Sequence, residues 1–137
     1  MPDMVAFDAP SREVCTVKRN ATATPQQAFV LLNDTQFVEA ARVLAEKALQ
    51  QQPTPSDQIQ FIFRRLTARL PNAGESKLLN DLLAEQTSLF QQEPDRAAKL
   101  ISVGEHKTDP KPDAIQLAAL TEVAQAIMNL DATIWKR

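Results

Sequence analysis

The chain has 137 residues, with 15 Lys and Arg against 17 Asp and Glu and a formal net charge of −2. Its opposite charges are interspersed, which argues against the basic footprint a phosphate backbone requires, and its apolar runs fall far short of the roughly 20 residues that cross a bilayer. Two Gly, no Tyr and one Cys set aside an internal disulfide and favour helix over sheet, because straight-chain residues lose little rotamer freedom in a helix. A chain of this size is one domain, able to bury roughly two-thirds of the surface its unfolded form exposes.

Residues 1–23 carry no helical period, Pro2 and Pro10 interrupt them, and only Val14 to Val17 is β-branched enough for a short extended stretch. They read as an extended arm. Thr24-Pro25 followed by Gln27 has the form of a capping box, so a first helix starts there and pauses at Asn33 and Asp34. The next helix, Thr35 to Gln51, places Phe37, Ala41, Leu44, Ala45, Ala48 and Leu49 on one stripe and Glu39, Arg42 and Glu46 on the other side.

Thr54-Pro55 repeats the start signal for a helix carrying Ile59, Ile62, Phe63, Leu66 and Leu70, closed by Pro71. Asn72 and Glu75 have capping-box spacing before a helix with Leu78, Leu79, Leu82, Leu83, Leu89 and Phe90. Pro94-Asp95 opens a short helix that Gly104 is placed to cap. After a polar loop, Asp113 opens a long helix with Ile115, Leu120, Val123, Ala124, Ile127, Met128, Ile134 and Trp135 on its apolar face. The expected architecture is all-α, an irregular bundle of about five or six helices preceded by an extended N-terminal arm. The arm covers residues 1–23 and the single helical domain covers 24–137.

Asp8, Ser11, Arg12, Glu13, Cys15 and Arg19 gather acid, base and nucleophile types in the arm. The plainer reading is that Asp8 and Ser11 make turns around Pro10 while Arg12 and Glu13 pair with charges elsewhere. Cys15 needs a neighbour that lowers its pKa to become a nucleophile, and His106 is distant in sequence, so a buried thiol is the simpler expectation. Glu105, His106 and Asp109 lack dedicated metal-ligand spacing. Arg64, Arg65 and Arg69 form a small cationic cluster, with Arg65 and Arg69 one turn apart, that reads first as a solvated face. Trp135 is expected to anchor the chain end. No catalytic residue, metal ligand or cofactor site is expected in this chain, and no phosphate loop, paired-Cys or Ser-His-Asp arrangement is present.

The runs AFDAPSREVC (Ala6 to Cys15), TPQQAFVLLND (Thr24 to Asp34) and NLD (Asn129 to Asp131) resemble a C-terminal family of unknown function in large planctomycete-type proteins, often found downstream of a cytochrome c-like domain. The resemblance implies an exported, multidomain parent, periplasmic or extracellular, of which this chain is the C-terminal fragment. Any signal then lies upstream, since none comes after Met1. Any haem belongs elsewhere in such a parent. The resulting expectation is a non-catalytic structural or interaction module whose partner is the upstream domain, with neither nucleic acid nor a membrane span involved. The alternative is part of an extracytoplasmic enzyme, redox or saccharide-related, with a site shared between the arm and missing upstream domains.

Overall fold

The computed structural model describes residues 25–107 and 112–130. Within them lie six helices: α1 (Pro25–Asn33), α2 (Thr35–Gln51), α3 (Pro55–Thr67), α4 (Ala73–Gln92), α5 (Pro94–Ile101) and α6 (Ala114–Met128). No strand occurs among the described residues, and the all-α expectation holds. The extended arm at residues 1–23 lies outside them, as do Asp109, Ile134 and Trp135.

Local chemistry sets the helix starts. Asp34 accepts from the Gln36 N–H at 2.8 Å and Asp113 from the Ile115 N–H at 3.2 Å. Thr54 accepts from the Asp57 N–H at 3.2 Å ahead of Pro55. The Asn72 side chain accepts from the Glu75 N–H and the Glu75 carboxylate accepts from the Asn72 N–H, each at 2.8 Å. This reciprocal pair satisfies two backbone donors that a helix start would otherwise leave orphaned.

Helix α6 is the centre of the bundle and touches all five other helices. One side of it, with Leu117, Leu120, Val123, Ala124 and Ile127, joins Ala41, Ala45 and Ala48 of α2, Ile59, Ile62 and Phe63 of α3, and Leu79 of α4 in the main core. Ala118 and Ala119 form a second cluster with Phe90 and Ala97, where small side chains let α5 approach closely. A helix apolar on nearly every side is stable only when covered on every side. Each fully buried Leu, Ile or Phe here contributes about 2–3 kcal/mol of transfer free energy. Two polar side chains of α6 are buried with their needs met: Thr121 donates to the Leu117 carbonyl at 2.7 Å, and Gln125 donates to the Leu32 carbonyl at 3.1 Å, tying α6 to α1.

Four expectations are corrected. Arg42 and Glu46, placed by the pattern on the solvated side of α2, are 0% and 6% exposed. Helix α3 ends at Thr67, because Ala68 turns left-handed at φ 62°, and Leu70 stands 58% exposed beyond it. Leu78 and Leu89 of α4 face outward, at 67% and 42%. Helix α5 stops at Ile101 with Ser102 as its cap, and Gly104, at φ 93°, serves the loop beyond it.

Candidate functional site

Residues one turn apart on α2 grip the backbone of the loop after α5. The Glu39 carboxylate accepts from the His106 N–H at 2.7 Å through Oε1 and from the Glu105 N–H at 3.2 Å through Oε2. Buried Arg42 donates from Nη2 to the His106 carbonyl at 2.7 Å. The amide and carbonyl of His106 are thus held from the same helix. The two hydrogen bonds donated by backbone N–H groups, that of His106 foremost, hold the Glu39 carboxyl below its ordinary pKa. Gly104 makes the approach possible: its φ of 93° suits glycine, and a Cβ there would overlap the Glu39 side chain. The His106 ring is left exposed. No group of three or more His, Cys, Asp and Glu able to hold a metal ion occurs among the described residues.

The arginine cluster is divided by the end of α3. Arg69, carried past the helix by the turn at Ala68, forms a two-pronged pair with Glu75, at 2.8 and 2.7 Å. Its guanidinium lies 4.9 Å from the centre of the Phe63 ring. The Arg69 hydrogen bonds, then the Asn72 amide, lower the Glu75 carboxyl to about 2. Arg69 is therefore committed to the α3–α4 corner. Arg64 and Arg65 remain exposed on α3, with Arg65 lying 5.2 Å from the Phe61 ring centre.

Between α2 and α3 an open groove of about 560 Å³ has a floor of Val43, Leu44, Leu66 and Met128. Lys47 and Arg65 line its edges, and Glu39 stands at one side. Across Arg65 lies a second, more polar hollow of about 650 Å³ that includes Arg64 and Asp57. Elsewhere, Glu122 on α6 is half-buried; burial raises its pKa, with Arg96 opposing.

The residues that the sequence offered as a shared or interaction site, Asp8, Ser11, Arg12, Glu13, Cys15 and Arg19, lie outside the described residues. Sequence reasoning missed the Glu39–Arg42 grip and the part Lys47 plays in the groove. One signal was available: Glu39, Arg42 and Glu46 recur at steps of three and four, running parallel to the stripe of Val38, Ala41, Ala45 and Ala48. No helix among the described residues is long and apolar enough to cross a membrane. No curated protein and no solved structure matches the chain. The family model PSD1, protein of unknown function (DUF1553), matches residues 1–83; that is more than half of the 137 residues, and the chain belongs to this family.

Proposed function

We propose that this domain is a non-catalytic helical interaction module of a larger exported protein, docking on the upstream part of that polypeptide through residues 1–23 and the adjoining face of α1. The observation that carries the reading is on α1. Phe29 and Leu32, three positions apart and so on one face, are 67% and 47% exposed. Large apolar side chains paired on a surface helix are the mark of a face that another surface covers. They lie within the stretch matched by the family model, directly after the polar arm. The periplasmic or extracellular setting, and a neighbour of the cytochrome c-like kind, rest on the resemblance of the arm and first-helix motifs to planctomycete-type proteins.

The test is calorimetric binding of this chain to the upstream segment of its parent, made separately. Phe29→Ser with Leu32→Ser should abolish binding, and Arg12→Ala with Glu13→Ala should weaken it, while circular dichroism stays unchanged. Loss of a catalytic activity of the parent with docking intact would instead assign the arm to a shared active site.

A further inference from the structure

The groove between α2 and α3 is a second surface, distinct from the α1 face, and its role is independent of how residues 1–23 dock. We infer that this groove receives an acidic amphipathic helix of a partner protein, its apolar stripe on the floor and its carboxylates against Lys47 and Arg65. The open groove above Val43, Leu44, Leu66 and Met128 measures about 560 Å³, room for a few side chains laid along it. An apolar trough along paired helices is the shape that accepts a further helix, read through anchors at i, i+3, i+4 and i+7.

The charge of the rim selects the sign of the occupant. Lys47 and Arg65 are both exposed, and neither forms an ion pair among the described residues. The carboxylate in the lining, Glu39, already commits both oxygens to the Glu105 and His106 amides. Its charge is thereby partly answered from the loop, and the two cations are left to meet an incoming acid. Arg65 is also steadied, since its guanidinium rests over the Phe61 ring; a cation held in place loses less freedom when a carboxylate arrives. Arg64, the next residue along α3, adds positive charge on the neighbouring hollow. A net charge of −2 on the whole chain makes this cationic edge a local feature, suited to an acidic protein segment rather than to a nucleic acid.

The test uses the full chain and a fluorescent helical peptide of about 16 residues, with Leu at i, i+3, i+4 and i+7 and Glu on the flanks. A second peptide keeps the Leu positions and replaces Glu with Lys. The acidic peptide should bind, as read by anisotropy, and weaken as salt rises. Lys47→Glu with Arg65→Glu should reduce its affinity about tenfold or more, and Val43→Gln should reduce it through the floor, with thermal melting unchanged in both. Three results would overturn the inference: no binding of the acidic peptide, equal binding of the basic one, or a double variant that binds like the parent. A dimer of the free chain that the double substitution breaks would give the groove to a second copy and overturn it too. The Phe29→Ser, Leu32→Ser variant separates the two surfaces, because it should lose the upstream segment and still bind the acidic peptide.

Discussion

Helices α2 and α6 pack against each other, yet they bury different kinds of side chain. In α6 the interior is supplied by Leu117, Leu120, Val123 and Ile127 with small alanines between them; in α2 it is Val38, Ala41, Ala45 and Ala48 together with Arg42 and Glu46. The first needs exclusion of water and, for its two neutral polar side chains Thr121 and Gln125, one carbonyl each. The second needs partners, because a charge taken from water is tolerated only when other groups replace its hydration. The difference shows two ways of seating a helix: one by filling space, the other by holding a distant loop.

Leu120→Ala should give the largest effect, a loss of about 3 kcal/mol in urea unfolding, from lost transfer energy and the cavity left at a residue 1% exposed. Arg42→Ala comes next at about 2 kcal/mol, and it should also raise hydrogen exchange at residues 104–106, which Leu120→Ala should not do selectively. Arg42→Met, which keeps the apolar stem, separates packing from hydrogen bonding. If it matches the parent in stability and exchange, the contrast between the two helices collapses. Gly104→Ala should cost about 1–2 kcal/mol, since the backbone is strained for any side chain at φ 93° and the added carbon meets Glu39.

The smallest effect is that of pH. Glu75 titrates at about 2 in the folded chain against an ordinary 4.5, so its contribution is fully present above 4.5 and is lost as pH falls from there toward about 2. Because the pair with Arg69 is partly exposed, the contribution is screened and amounts to less than about 1 kcal/mol. Glu39, also lowered, acts in the same direction. Glu75→Gln should flatten the fall of melting temperature with acid; an unchanged slope would mean that the α3–α4 corner adds nothing to stability.

Much of the fold was legible because its signals are local. The starts at Pro25, Pro55, Pro94 and Asp113 and the Asn72–Glu75 box each depend on residues within a turn of one another. The apolar face of α6 was legible in part: Leu120, Val123, Ala124 and Ile127 are buried as expected, whereas buried Leu117, Ala118 and Ala119 were not singled out and the helix closes at Met128, short of Ile134 and Trp135. Burial of Arg42 was not legible, because its acceptor is the carbonyl of His106, 64 positions away, and no periodicity encodes a contact of that span. The end of α3 was missed for another reason: an alanine adopted a conformation usually left to glycine, so the helix stopped short of the proline expected to close it. The Arg64, Arg65 and Arg69 cluster was visible, but its division depended on that turn. The groove was invisible as such, because its lining comes from three helices.

The central position of α6 carries a consequence for synthesis. The five helices it joins precede it in the chain, so a nascent polypeptide has their greasy stripes outside the ribosome before the element that covers them has emerged. Closure waits until residue 128 is out, and until then the emerging helices are clients for a chaperone. The same order means that a truncation at residue 83, where the family match ends, lacks its keystone and should accumulate as aggregate.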